Sequence, residues 1–262
     1  MGFGLVVVGG GNMGAALLGG LLASGVVEAA DVAVVEISSE RRDALARQFP
    51  GVTVVDAVPE CSAAVLAVKP AGVPAAAGAV AAAGATRVLS IAAGVTTATI
   101  AAAVGDGVAV LRAMPNTPAL VGQGVSAVAG APGASDDDLA WAERVLGAVG
   151  TVVRVDESQL DAVTGLTGSG PAYVFLLAES LIDAGLDVGL DPDDVEAMVT
   201  QLLVGSAALL AERGDPARLR EMVTSPNGTT AAGLQVLGDR GLRGIVTEAV
   251  RAATERSREL GT

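Results

Sequence analysis

A short apolar run, a glycine turn and a helical segment at the start of the chain constrain its fold most. Val6–Val8 form a candidate strand, and the turn Gly-x-Gly-x-x-Gly that follows has its three glycines at Gly9, Gly11 and Gly14. The first glycine permits a tight turn, the second lets a pyrophosphate approach the backbone, and the third allows close packing of helix on strand. Glycine is abundant, with 35 residues, so the motif gains weight mainly from its position between strand and helix. It favours a dinucleotide site over a purely structural turn, with contacts from Gly9, Gly11, Asn12, Met13 and Gly14.

An acidic residue ends the second apolar run, about 20 residues beyond the glycine turn, where a ribose-binding acid is expected. This residue is Glu36, and its charge favours NADH because it repels a ribose 2′-phosphate. Ser38, Ser39, Arg41 and Arg42 follow, and a serine–arginine set can instead hold that phosphate. They are equally well explained as a capped, solvated helix start. The sequence therefore predicts NAD(P)H and leaves the choice between the two nucleotides open.

Brief apolar, β-branched runs alternate with helical stretches through the first part of the chain. Such alternation predicts βαβ units and a parallel sheet. We expect an α/β fold with a Rossmann-type parallel-sheet domain over residues 1–155. The candidate strands are Leu5–Val8, Val32–Val35, Val52–Val55, Ala64–Val68, Arg87–Ile91 and Val108–Leu111.

The strand-type runs stop near Asp156, and an all-α domain is predicted over residues 156–262. Its helical stretches are rich in Ala, Leu and Gly, which suits either a monomeric bundle or a dimer whose helices share one core. The candidate helices are Pro171–Ala184, Asp194–Glu212, the stretch after Asn227, and Arg243–Leu260.

Three further segments follow predicted strands, and ligands of open parallel sheets bind at the carboxyl ends of strands. The segments are Val68–Pro70, Ser90–Val95 and Met114–Pro118. The last could be only a rigid turn, since prolines bracket Asn116. We expect cofactor contacts from Val68, Lys69, Pro70, Ala92, Met114 and Asn116.

A polar loop, Ser225–Thr230, interrupts the apolar helical part of the chain. Ser225 before Pro226 is typical of a helix start. The amides of Gly228, Thr229 and Thr230 are then expected to converge on one point, where a helix N-terminus favours an anion. A small carboxylate fits this place, although an ordinary helix cap explains the same residues.

Composition limits the possible functions. The net charge of −13 and the lack of a basic stripe argue against nucleic acid as a partner. With no histidine and one lysine, Lys69, a metal site is not expected. The single cysteine, Cys61, allows no internal disulfide and fits a reducing compartment. We expect a soluble cytoplasmic protein without a signal peptide or membrane segment.

Five segments in this order resemble the pyrroline-5-carboxylate reductase family, and the resemblance runs nearly end to end. The first segment is shared by many dehydrogenases, whereas the last is specific. They are Val8–Gly14, Ala67–Pro70, Arg112–Pro118, Gly168–Phe175 and Val223–Leu234.

The resemblance implies the last step of proline biosynthesis, in which NAD(P)H reduces 1-pyrroline-5-carboxylate to L-proline. It implies that Thr230 is the catalytic residue that hydrogen-bonds the ring nitrogen. The substrate carboxylate would be held by Ser225, Gly228, Thr229 and Thr230. The resemblance also implies a homodimer paired through the helical domain, with dimers assembled into larger rings.

Two places depart from the family pattern. Asn227 stands where a second glycine is usual, and asparagine tolerates the left-handed conformation better than most residues. After the third strand, Asp56 and Ala57 stand near the position of a common asparagine.

Two other functions are consistent with the sequence: a reductase of another small imine or β-hydroxy acid, and a non-catalytic dinucleotide sensor. A hydroxy-acid enzyme would want a lysine in the helical domain, and a sensor needs no carboxylate loop.

Overall fold

A computed structural model describes residues 2–261 and divides the chain into two compact units. The first unit extends to Ser169 and includes the chain again from Arg251 onward, and the second unit is Gly170–Val250. The domain boundary predicted between residues 155 and 156 stays a prediction, because the two compact units are defined by contacts and not by function.

The first unit contains one sheet of eight strands in the order β3-β2-β1-β4-β5-β6-β7-β8. Strand β1 lies between β2 and β4, with Val8 opposite both Val35 and Leu66. The carboxyl ends of these strands therefore meet at one edge. The strands are β1 (Leu5–Val8), β2 (Val32–Val35), β3 (Thr53–Val55), β4 (Ala63–Leu66), β5 (Arg87–Ser90), β6 (Ala109–Met114), β7 (Gly124–Gly130) and β8 (Gly150–Arg154).

Helices cover both faces of this sheet, which explains why β1, β2 and β4 are apolar at every position. Leu17, Leu18 and Leu21 pack on one face, and Val73, Val80 and Ile100 pack on the other. The helices are α1 (Asn12–Ala23), α2 (Ser39–Gln48), α3 (Val73–Ala82), α4 (Thr97–Val104), α5 (Asp136–Gly147) and α6 (Leu160–Val163). A π-helical turn, Thr164–Gly168, follows α6 directly.

The predicted α/β class is confirmed, but the sheet is not wholly parallel. Strand β7 runs antiparallel to β6, and β8 is parallel to β7. A short 3-10 turn, Thr117–Val121, reverses the chain between β6 and β7. Neither β7 nor β8 was predicted. Strand β7 is rich in small residues and has no β-branched run, whereas β8 contains the β-branched run Thr151–Val153, which the sequence reasoning overlooked.

The second unit is helical. Its helices are α7 (Gly170–Asp187), α8 (Pro192–Arg213), α9 (Pro216–Met222), α10 (Thr229–Asp239) and α11 (Leu242–Leu260), the last of which continues into the first unit. Gly185 allows α7 to approach α8, since a Cβ there would lie 2.5 Å from Val195 Cγ2. Within residues 170–250, all of which the structure describes, the buried residues are Gly185, Val195 and Val199.

Large apolar side chains cover the outside of this unit. Phe175, Leu176 and Leu202 are each more than half exposed, at 62%, 62% and 54%. By length and composition alone, α8 is apolar enough to cross a membrane, and 11% of its most apolar stretch is buried in one copy. A core helix of a soluble assembly meets the same criterion. The apolar surface of α8 therefore needs a partner, and its composition alone does not say whether that partner is protein or lipid.

Candidate functional site

The glycine turn after β1 contains two glycines that the fold requires and one that it does not require. Gly9 has a φ of 106°, and a Cβ on it would lie 2.5 Å from the Ala67 carbonyl oxygen. A Cβ on Gly14 would collide with the carbonyl oxygen of Gly9. By contrast, a Cβ on Gly11 would meet nothing within 4 Å. The protein itself therefore does not require a glycine at position 11, whereas a ligand approaching the backbone there does.

Helix α1 begins beside this open space. Gly11 is its N-cap, and no side chain caps the helix. The first amides of a helix have no partner within it, so those of Asn12 and Met13 are donors for an anion. The free amides and the space in front of Gly11 together fit the pyrophosphate of a dinucleotide.

The carboxylate of Glu36 lies beside the same turn. Its Oε2 accepts a hydrogen bond from the Gly10 amide at 3.1 Å, and its Oε1 accepts one from the Ser38 amide at 3.0 Å. Ser38 caps α2 through its hydroxyl oxygen, which accepts from the Arg41 amide at 3.3 Å. The predicted ribose-binding acid and the glycine turn are thus brought together.

The residues after β4 and β5 lie at the same edge of the sheet. Lys69 is exposed and precedes the 3-10 turn Pro70–Gly72, and Val68 is half-buried. Ala92 is buried, and its amide donates to Ser90 Oγ at 3.4 Å. Val68, Lys69, Pro70 and Ala92 are therefore placed at the strand tips, as expected.

The turn after β6 is held by Asn116, which is 8% exposed. Its Nδ2 donates to the Thr167 carbonyl at 3.1 Å, and its Oδ1 accepts from the Val125 amide at 2.9 Å. Both polar atoms of this side chain thus fix the protein itself, and the Asn116 carbonyl accepts from the Ala119 amide at 3.2 Å. Met114 is packed so closely that a Cβ on Gly168 would lie 2.8 Å from its Cε.

Sequence reasoning missed the π-helical turn that Asn116 contacts. Turns of this type are frequent at functional sites. Its last residue, Gly168, is the first residue of the predicted Gly168–Phe175 segment, so the glycines there were the available signal.

Sequence reasoning also missed an ion pair behind the β6 turn. The Glu157 carboxylate accepts from the Thr97 amide at 2.7 Å, from Thr97 Oγ1 at 2.5 Å, and from Arg112 Nη1 at 3.2 Å. Burial raises the pKa of Glu157, but the hydrogen bonds from Thr97 and the charge and hydrogen bond of Arg112 bring this pKa below its usual value. The carboxylate caps α4 and links it to β6.

In the second unit, the loop before α10 differs from the prediction that a helix starts at Ser225. Ser225 does not start the helix, because Gly228 is the N-cap and α10 begins at Thr229. The Gly228 amide donates to the Ser225 carbonyl at 3.0 Å, so it closes a turn and does not face a ligand. The physical reason is Asn227, whose φ of 57° turns the chain before helical geometry can begin.

The exposed end of α10 nevertheless offers free donors. The first amides of the helix, those of Thr229, Thr230 and Ala231, have no partner within it. Thr229, Thr230 and Ser225 are exposed in the single chain. A Cβ on Gly228 would collide with Ser225 Oγ, so another residue there would require the Ser225 side chain to rotate. The result is an anion-binding helix N-terminus with two threonine hydroxyls.

A sheet with a dinucleotide turn at its first strand and an acid at its second is typical of a nicotinamide-dependent oxidoreductase. Comparisons with known proteins narrow this class. Residues 157–260 match the family model described as pyrroline-5-carboxylate reductase dimerisation, and residues 4–94 match that described as NADP oxidoreductase, coenzyme F420-dependent. The chain belongs to the pyrroline-5-carboxylate reductase family, as the relatives below establish.

Among curated relatives, the pyrroline-5-carboxylate reductase of Synechocystis sp. is 41% identical over 98% of both chains. That of Mycobacterium tuberculosis is 41% identical over 98% of this chain and 96% of its own. The solved pyrroline-5-carboxylate reductase of Coxiella burnetii aligns over 100% of both chains with a TM-score of 0.92 and 32% identity. The Plasmodium falciparum pyrroline carboxylate reductase, solved with NADP bound, gives a TM-score of 0.84 at 27% identity over 99% and 98% of the two chains.

These relatives confirm the resemblance drawn from the five segments. The protein is an NAD(P)H-dependent oxidoreductase that acts on a small molecule, and its helical part is a homodimerisation region. A second copy of the chain therefore explains the exposed apolar helices of the second unit.

Proposed function

We propose that this chain reduces 1-pyrroline-5-carboxylate to L-proline with NAD(P)H, the last step of proline biosynthesis. One observation carries the proposal: this chain, a member of the family, contains both an open dinucleotide turn at Gly11 and an anion-binding helix start at Thr229. The first suits a nicotinamide nucleotide, and the second suits the carboxylate of a small acid.

The nucleotide is assigned to the strand-tip edge of the first unit. When bound, NAD(P)H supplies the hydride. The open backbone at Gly11 and the first amides of α1 hold its pyrophosphate, and Glu36 and Ser38 border the adenosine ribose. The remaining contacts are assigned to Gly9, Asn12, Met13, Gly14, Val68, Lys69, Pro70, Ala92, Met114 and Asn116.

The substrate carboxylate is assigned to the start of α10. The amides and hydroxyls of Thr229 and Thr230 bind it, while Ser225 and Gly228 form the compact turn that shapes the pocket. The Thr230 hydroxyl hydrogen-bonds the ring nitrogen and orients the C=N bond. Hydride adds to the imine carbon and the nitrogen keeps its proton, so a protonated imine needs no histidine acid.

The test uses Thr230→Ala with Thr230→Ser as the matched control. Reduction of 1-pyrroline-5-carboxylate is followed by the loss of nicotinamide absorbance, and nucleotide binding is measured separately by fluorescence. We expect Thr230→Ala to lower kcat by about tenfold or more with nucleotide affinity retained, because one substrate hydrogen bond is lost. Thr230→Ser keeps the hydroxyl and most of the rate. Loss of nucleotide binding in Thr230→Ala would show that the loop is misassigned.

The exposed apolar helices of the second unit support a proposal about the assembly. We propose a cytoplasmic enzyme in which a second copy, and not a membrane, covers α8, with the dimers assembled into a ring. Light scattering on purified protein without detergent tests this proposal. If all particles have the mass of a dimer, the proposed ring is wrong. If the protein can be recovered only in detergent, the cytoplasmic assignment is wrong.

A further inference from the structure

The carboxylate of Glu36 is fixed before any ligand arrives. The Gly10 amide holds Oε2, and the Ser38 amide holds Oε1. These two backbone donors set the orientation of the carboxylate. An ionised carboxylate has about four acceptor positions, so it can still accept hydrogen bonds from two ribose hydroxyls.

Each of the two neighbouring arginines donates from one nitrogen to the backbone of the fold. Arg42 Nη1 donates to the carbonyl oxygens of Glu36 and Ile37, both at 2.9 Å. Arg41 Nε donates to the Gly10 carbonyl at 2.7 Å. The Ser38 hydroxyl oxygen accepts from the Arg41 amide. The serine–arginine set thus joins the start of α2 to the glycine turn.

The charge of Glu36 is not neutralised by these arginines. Among the ion pairs of residues 2–261, none joins Glu36 to a cation. A 2′-phosphate entering this place would meet a fixed like charge at short range, which is unfavourable. Turning the Glu36 carboxylate away from the phosphate would break its hydrogen bonds to the Gly10 and Ser38 amides.

We propose that this protein selects NADH over NADPH, and that Glu36 is the residue that determines the choice. The inference rests on the proposed function only in taking the glycine turn as the nucleotide site. Arg41 and Arg42 are positioning residues that hold the glycine turn and α2 together, and they do not recognise a phosphate. The geometry thus decides between the two readings that the sequence left open.

The experiment measures the dissociation constants of NADH and NADPH by nicotinamide fluorescence, on the full dimeric protein without imine. For the unmodified protein we expect NADH to bind at least about tenfold more tightly, since NADPH must break charge-assisted hydrogen bonds. Glu36→Gln removes the charge and keeps the shape, so the two constants should converge. Tighter binding of NADPH by the unmodified protein would overturn the proposal.

Arginine variants separate positioning from recognition. Arg41→Ala should weaken both nucleotides by the same factor, because it loosens the turn that both share. Arg47→Ala removes the same charge from an exposed site at the other end of α2 and should change neither. If Arg41→Ala weakens NADPH alone, Arg41 is a phosphate ligand and the inference is wrong.

The outcome for the proposed function is read independently. A protein that binds NADH selectively but does not reduce 1-pyrroline-5-carboxylate keeps this inference and loses the proposed substrate. A protein that reduces the imine and prefers NADPH keeps the substrate and loses this inference. If circular dichroism shows that the protein is folded and it binds neither nucleotide, both the inference and the proposed function are wrong.

Discussion

Removing the Glu157 carboxylate tests how α4 is joined to β6. Glu157→Ala leaves the Thr97 amide, the Thr97 hydroxyl and the Arg112 guanidinium without their acceptor. Thr97 is 2% exposed and the Arg112 side chain 7%, so water reaches these donors poorly. Breaking a fully buried ion pair costs about 3–5 kcal/mol.

The expected loss is smaller, because the Glu157 side chain itself is 30% exposed and water can enter the vacated space. We expect Glu157→Ala to lower the free energy of unfolding by about 2–3 kcal/mol. Glu157→Gln keeps one acceptor oxygen and should cost about 1–2 kcal/mol. Urea unfolding at a fixed protein concentration measures both values, since the stability of a dimer depends on concentration.

Glu143→Ala is the matched control. Glu143 pairs with Arg154 at 2.6 Å, but the two side chains are 33% and 42% exposed. Exposed pairs contribute below about 1 kcal/mol. If Glu157→Ala costs no more than Glu143→Ala, the buried pair does not stabilise the fold and the reasoning fails.

The pH dependence has a defined sign. Because the folded-state pKa of Glu157 lies below its usual value, the carboxylate stabilises the fold above the unfolded-state value, about 4.3. That stability is lost as the pH falls through the lowered folded-state pKa. The difference between the unmodified protein and Glu157→Ala should therefore be full near neutrality and shrink below about pH 4.

Two further predictions concern glycine positions and backbone geometry. Gly11→Ala should fold normally and lose nucleotide affinity by about tenfold or more, whereas Gly14→Ala should also lower the melting temperature, because its methyl group collides with Gly9. Equal melting temperatures for the two variants would contradict this. Asn227→Gly should change the free energy of unfolding by less than about 0.5 kcal/mol, and Asn227→Val should cost about 1–2 kcal/mol at a φ of 57°. Unfolding curves measure both changes. If the free energy of unfolding of Asn227→Val equals that of the unmodified protein, the left-handed turn is not retained.

Local patterns predicted what local physics determines. The limits of β1 and β2 agree with the apolar runs because both faces of these strands are buried, so every position is apolar. Helix α5 begins after Ser135, as its serine and acidic first turn indicate, and a capping box is present. The glycine turn was predicted for the same reason, since its constraints lie within a few residues.

The parts that were not predicted depend on distant partners. Glu157 contacts Thr97 and Arg112, which lie 60 and 45 residues away, and no local pattern marks such a pair. Helix α4 has a threonine-rich first turn that resembles a loop. The start of α10 was placed early because proline after serine is a strong local signal, whereas the turn at Asn227 overrides it.

The helices of residues 170–250 bury only Gly185, Val195 and Val199 within one copy. A newly made chain therefore completes this half of itself only by meeting another. Mixed pairs are then unavoidable wherever two versions of the protein are produced together. A version that pairs well but cannot turn over its substrate would occupy sound partners, so a defect in chemistry could spread further than a defect in folding.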